Sequence, residues 1–158
     1  MHNPDPGPSG NSPAADFPPA GIAPPSIPAA GAVHSLKAAA LLPLVDATVL
    51  DELDDELAGS GLARRFARDY AAMWDTRLAR LGTAVDSQDE ASALDAVISL
   101  KISSAMVGGI RLAKLAEVLE ALIRQGDFVQ GQAMMAGVAH DGARTVSELQ
   151  STFILEQG

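Results

Sequence analysis

The sequence contains no cysteine among its 158 residues, which excludes both a disulfide framework and a thiolate metal site. It also lacks an excess of basic residues, since the formal net charge of −9 argues against binding to nucleic acid or to an anionic membrane. Its apolar runs are too short to span a bilayer, and "MHNPDPGPSG" has neither the basic start nor the apolar core of a secretory signal. We therefore expect a cytoplasmic protein.

Proline is almost absent after residue 30, because nine of the ten prolines lie in residues 1–30 and Pro43 is the last. The same stretch has only two charged residues, Asp5 and Asp16, and little bulky apolar material. Proline blocks helix formation, and a segment of this composition has little to bury. We therefore predict that residues 1–43 form a disordered tail rich in proline, alanine and glycine.

Residues 44–156 have the composition of an all-α domain. Alanine, leucine and charged residues dominate there, and no alternating strand pattern is present. Short connections between long amphipathic segments favour antiparallel neighbours. The predicted fold is an antiparallel up-and-down four-helix bundle with a short extra N-terminal helix packed over one end.

Capping residues and glycines predict where these helices begin and end. The short helix, "TVLDELDDEL", is capped by Asp46 or Thr48. The last of the long helices contains three glycines and is either continuous, or kinked or split near "HDG" at residues 140–142. The long helices run from Ser60 to Leu81, from the capping box "SQDE" (residues 87–90) to Val107, from Ile110 to Gln125, and from Asp127 to Phe153.

Two apolar faces run along the predicted helix that contains "AVISLK". At about 100° per residue, five residues fall close together as the core face: Ala93, Val97, Leu100, Ser104 and Val107. Another group lies roughly 80° to 180° from Val97 and consists of Ile98, Ile102, Ala105 and Met106. Lys101 falls between the two groups. Two apolar faces are typical of a central bundle helix that touches two neighbours, and also of an exposed binding surface, so periodicity leaves both interpretations open.

Residues 46 to about 130 resemble the histidine-containing phosphotransfer (HPt) domain of bacterial phosphorelays. The resemblance begins at "VDATVLDELDDEL" and "LARRFARDY" and is strongest in the hairpin "ALDAVISLKISSAMVGGIRLAKLAEVLE". The family pattern in this hairpin is His, any residue, Leu, Lys, Gly, two small residues and Ala, followed by Gly ten residues after the histidine. The matching positions are Leu100, Lys101, Ser103, Ser104, Ala105 and Gly108.

Three departures from the family pattern cluster in the hairpin, and each goes towards an apolar side chain. Ile98 stands at the phosphoacceptor histidine, Ile102 at the family's glycine, and Met106 where a polar residue is frequent. In the family the imidazole takes a phosphoryl group from a receiver-domain aspartate, which requires a nitrogen nucleophile. Isoleucine has none, so phosphotransfer at residue 98 is excluded. The family's lysine helps to hold the phosphoryl charge; Lys101 has either this kind of binding role or that of a solvated helix lysine.

The resemblance therefore implies a degenerate HPt-like domain that binds a receiver or histidine-kinase domain as an adaptor or competitor without carrying phosphate. Two alternatives stay open: a self-associating bundle that forms a homodimer through the same apolar face, and a phosphotransfer carrier that uses another histidine. The implied contact surface consists of Ile98, Lys101, Ile102, Ala105, Met106 and Gly109.

The three histidines offer few alternatives to the missing one. His34 lies in "HSLKAAA", which echoes the family motif, but Pro43 limits any helix there and Leu44 stands where the pattern requires glycine. His140 is expected at the surface or at a helix junction, and His2 lies in the tail. The sequence has no recognisable nucleophile–base pair, phosphate-binding glycine loop or metal-ligand spacing. We expect no conventional enzyme activity, no cofactor and no metal.

Overall fold

The computed structural model describes residues 29–57, 59 and 61–154, and within these residues the protein is helical without strands. The predicted all-α class is confirmed. None of the described helices combines the length and apolar character that a bilayer span requires. The elements are α1 (Ala29–Ala40), α2 (Ala47–Glu56), α3 (Leu62–Asp86), α4 (Glu90–Met106), α5 (Ile110–Arg124), α6 (Phe128–Leu149) and a π-helical turn (Gln150–Ile154).

Helices α3 to α6 form the predicted up-and-down bundle. Each of them packs on the next in the chain, and α3 also packs on α6, which closes the bundle. Between α3 and α4, Arg80 pairs with Asp95 and Arg77 bonds to Ser99. Later residues of α3 thus contact earlier residues of α4, so the two helices are antiparallel, as expected for helices joined by a short turn.

Two of the predicted helix caps are confirmed. Asp46 caps α2 by accepting a hydrogen bond from the Thr48 backbone N–H at 3.0 Å, and Asp127 caps α6 through the Gln130 N–H at 3.1 Å. Each carboxylate satisfies a backbone donor that has no partner within the helix. The predicted cap Ser60 lies outside the described residues.

The predicted end of α3 at Leu81 is wrong. The helix continues to Asp86, because Ala84 and Val85 are buried in the core and packing there outweighs the low helix propensity of Gly82.

The predicted "SQDE" capping box is also wrong. Ser87 ends α3 and donates its hydroxyl to the Thr83 carbonyl at 2.9 Å. Asp89 instead caps α4, where it accepts hydrogen bonds from the Ser92 backbone N–H at 3.2 Å and the Ser92 hydroxyl at 2.8 Å. These bonds lower the pKa of Asp89, as expected for a carboxylate whose charged form accepts hydrogen bonds.

The prediction that residues 1–43 are disordered is wrong for the part of this range that forms α1. Ala29–Ala40 is helical and packs on α5; Ala39 is fully buried, and Leu36 packs against the core. The Arg111 Nε–H donates to the Leu42 carbonyl at 2.9 Å. A short helix that is marginal in isolation gains stability from such packing, which composition does not reveal. Residues 1–28 lie outside the described residues, so disorder there stays a prediction.

The predicted core face of α4 is confirmed. All five members of the α4 core face are buried, as are Tyr70 and Trp74 on α3. The Tyr70 hydroxyl and Ser104 Oγ are 2.7 Å apart, which gives both buried polar groups a partner. Burial raises the pKa of Tyr70 to about 12, because it disfavours the phenolate.

Helix α6 is continuous through the region where a kink or split was left open. It runs from Phe128 to Leu149 across both Gly137 and Gly142. The ring of Trp74 lies directly against Gly142, and a Cβ at that position would be 1.8 Å from the tryptophan Cζ2. A glycine is therefore required where the Trp74 ring of α3 lies against α6.

We predict opposite effects for two glycine substitutions in α6. Gly142→Ala forces the indole of Trp74 to move and should lower the free energy of unfolding by about 1–3 kcal/mol. The matched control, Gly137→Ala, meets no atom within 4 Å and should raise it by about 1 kcal/mol through helix propensity. Urea unfolding followed by circular dichroism measures both, and equal stability of the two variants would contradict this packing.

Candidate functional site

The outward side of α4 carries an apolar strip, which we call the α4 strip and define as Ile98, Ile102, Ala105 and Met106. Helix α4 packs between α3 and α5. Ile102 is 54% exposed and Met106 is 41% exposed; Ala105 is also exposed, whereas Ile98 is half-buried and packs against the core edge. Both interpretations of the second apolar face therefore apply, but to different residues. Ile98 packs partly against the core, as in a central bundle helix, whereas Ile102 and Met106 form an exposed surface.

Lys101 joins α4 to α5 at one edge of the strip. Its Nζ lies 2.6 Å from Glu120 Oε1, and the second oxygen of Glu120 accepts hydrogen bonds from Arg124 Nε at 3.1 Å and Nη2 at 2.8 Å. The Glu120 side chain is only 13% exposed. Lys101 is therefore half-buried and paired, which argues against the solvated helix lysine, one of the two roles left open by the sequence.

The charge on Glu120 is stabilised by this arrangement. Partial burial raises the pKa of Glu120, but the hydrogen bonds from Lys101 and Arg124 outweigh burial and hold the pKa below its ordinary value. With two cations around one carboxylate, this edge of the strip keeps a net charge of +1 near neutral pH. Sequence spacing predicts the Glu120–Arg124 pair, four residues apart on α5, but only the packing of α4 on α5 brings Lys101 to it.

The opposite edge of the strip is built from α3. The Arg77 Nη1 group donates to Ser99 Oγ at 2.9 Å and to Ser103 Oγ at 3.3 Å, while Arg80 pairs with Asp95 at 3.4 Å in an exposed position. The sequence analysis missed Arg77, and the only signal available was its place on the same face of α3 as Met73 and Arg80.

The prediction that Gly109 belongs to the contact surface is wrong. It is buried in the turn between α4 and α5, and its N–H donates to the Ser104 carbonyl at 2.8 Å. A Cβ there would lie 3.1 Å from Thr145 Cγ2 on α6. The glycine lets α6 approach this turn, so it does not belong to an exposed contact surface.

Neither of the described histidines lies on α4. His34 is exposed on α1 and His140 is exposed on α6, while His2 lies outside the described residues. Within the described part of the chain, no group of three or more histidine and acidic side chains is placed to hold a metal ion. The polar and apolar arrangement around α4 is suited to contact with another macromolecule, because exposed apolar side chains there are bordered by fixed charges.

The fold matches a solved phosphotransfer protein. The crystal structure of histidine-containing phosphotransfer protein B (HptB) from Pseudomonas aeruginosa PAO1 superimposes with a TM-score of 0.63 at 20% sequence identity, over 69% of this chain and 93% of that one. No protein-family profile and no curated protein sequence matches the chain. The likeness establishes an HPt-like helical bundle.

Glu120→Gln should make the protein less stable at neutral pH in a pH-dependent manner. Because the pKa of Glu120 is lower in the folded state than in the unfolded state, the carboxylate contributes stability above its unfolded pKa of about 4.3 and loses that contribution as pH falls through the folded value. We expect a loss of about 1–3 kcal/mol at pH 7 that shrinks below about pH 4.

The matched control is Glu117→Gln, which removes a more exposed carboxylate paired with Lys114 on the same helix. It should change stability by less than about 0.5 kcal/mol. Urea unfolding at pH 7, 5 and 3 measures both variants, and a loss for Glu120→Gln that does not vary with pH would contradict the ion-pair explanation.

Proposed function

We propose that the protein is an HPt-like domain without phosphotransfer activity, which binds a receiver or histidine-kinase domain of a two-component system as an adaptor or competitor. The feature that carries the proposal is Ile98, a side chain without a nucleophile, at the residue that the sequence pattern matches to the family's phosphoacceptor histidine. Its neighbours Ile102 and Met106 are exposed beside it. The fold of HptB, a phosphotransfer protein by name, supports a phosphorelay context.

The chemistry of the strip favours binding over group transfer. A phosphoacceptor needs a lone pair on the attacking atom, and none of the four residues of the α4 strip supplies one. Buried apolar area contributes about 25 cal/mol per Å², so covering Ile102 and Met106 favours a complex by several times the thermal energy. In this proposal the half-buried Ile98 sets the base of the contact and the two exposed side chains supply most of its area.

The first test combines a binding assay with a labelling assay. The full chain should bind at least one purified receiver domain but take no phosphoryl label from the phosphorylated form of that receiver. The positive control is the double variant Ile98→His, Ile102→Gly, which restores both family residues and should become labelled by the same receiver. Acid-labile phosphate on the unaltered chain would contradict the proposal; His34→Ala and His140→Ala would then identify the alternative acceptor.

The second test maps the contact. Ile102→Asp puts a charge into the centre of the apolar strip and should weaken receiver binding at least about tenfold, because the carboxylate must lose water in the complex. The control Val129→Asp alters a side chain that is 78% exposed on α6 and should leave the affinity within about twofold. Equal affinities of the two variants, measured by isothermal titration calorimetry, would place the contact elsewhere.

A symmetric homodimer is the second candidate, because the same exposed Ile102 and Met106 could pair with a second copy. In that case Ile102→Asp would convert a dimer to a monomer in sedimentation equilibrium. A wild-type chain that sediments as a monomer at all practical concentrations would exclude this function and leave receiver binding intact.

A further inference from the structure

Arg77 differs from the other cations beside the α4 strip. Arg80 is paired with Asp95 and Lys101 with Glu120. Arg77 bonds only to the hydroxyls of Ser99 and Ser103 in the described part of the chain, and it has no carboxylate within ion-pair distance there. A guanidinium is charged at any physiological pH, so Arg77 brings an uncompensated positive charge to this edge of the strip.

The guanidinium is held in place but is not satisfied. It is half-buried between α3 and α4, and its Nε–H is buried without an acceptor among the described residues. The Ser103 hydroxyl donates to the Ser99 carbonyl at 2.6 Å, which leaves its oxygen to accept from Arg77. The Ser99 hydroxyl also accepts from Arg77, and its own proton has no acceptor among the described residues. The polar groups without a partner here, the Arg77 Nε–H and the Ser99 hydroxyl proton, are therefore both hydrogen-bond donors.

The geometry points to a carboxylate-binding subsite formed by Arg77 and Ser99, used to recognise an aspartate or glutamate on the surface of the partner protein. Ser99 and Ile102 are three residues apart and so are neighbours on the surface of α4. The complementary partner surface is an apolar patch with a carboxylate at its edge. This inference rests on the proposed function, because it names the chemistry of the receiver surface that the α4 strip contacts.

The subsite binds a carboxylate only after the two protein surfaces have come into contact. The whole chain carries a net charge of −9, which does not attract an acidic partner from a distance, and charges are screened beyond roughly 8 Å at physiological ionic strength. A planar guanidinium can hold a carboxylate with two parallel hydrogen bonds once the surfaces meet. Removing it should consequently raise the dissociation rate rather than lower the association rate.

The first arm of the test measures dissociation of the full chain from the receiver domain that binds it. Arg77→Gln should raise the dissociation rate about tenfold with the association rate within about twofold. Arg77→Lys keeps the charge without the planar fork and should show a smaller increase. The matched control Arg80→Gln removes a cation that already has a carboxylate and should change neither rate. Thermal unfolding of each variant confirms that the bundle is intact.

The second arm needs no receiver and uses sodium acetate as the carboxylate probe. Acetate should shift the ¹H–¹⁵N resonances of the Arg77 Nε–H and the Ser99 amide, and Arg77→Gln should abolish the Ser99 shift. If a receiver binds but Arg77→Gln dissociates at the wild-type rate, the subsite is refuted and the proposed function stands. If neither a receiver domain nor a histidine-kinase domain binds, the proposed function fails and the acetate shifts alone decide on the subsite. Inorganic phosphate acting at a tenth of the acetate concentration would refute the carboxylate assignment.

Discussion

The rotation of α4 about its own axis is the constraint on which the rest of the site depends. Burying Val97, Leu100 and Ser104 between α3 and α5 fixes the angle of every other side chain, because residues on a helix are set about 100° apart. Ile102 and Met106 must then face outwards, since no change of rotamer moves them to the core side. The hydrogen bond between Tyr70 and Ser104 holds the same rotation from the α3 side.

The two edges of the strip follow from the same rotation but differ in chemistry. Towards α5, Lys101 and Arg124 share one largely buried carboxylate, that of Glu120. Towards α3, Arg77 is held by two serine hydroxyls that leave its charge intact. The cations on the α5 side have a carboxylate partner, whereas Arg77 on the α3 side has none within the described residues. Asymmetry of this kind gives a contact surface a defined orientation for its partner.

Residues with strong local signals were predicted correctly. The capping carboxylates Asp46 and Asp127 and the core face of α4 depend on the sequence within one or two turns, which periodicity and capping rules describe. The signals failed where distant residues decide the outcome. Ser87 has the spacing of a capping box, but packing of Ala84 and Val85 carries α3 past Gly82. Helix α1 has a weak local signal and depends on α5 for its stability. Gly109 resembles a surface position until α6 is placed beside it.

The sequence by itself determined the all-α class, the two faces of α4 and the absence of a nucleophile at residue 98, because composition, period and side-chain chemistry are local properties. Only the tertiary structure decided which part of the second face meets water, which carboxylate pairs with Lys101, and that Arg77 has no carboxylate partner among the described residues. Those outcomes depend on contacts between side chains that lie 19 to 22 residues apart in the sequence and belong to different helices. Their relative placement results from packing the whole core, which no single segment specifies.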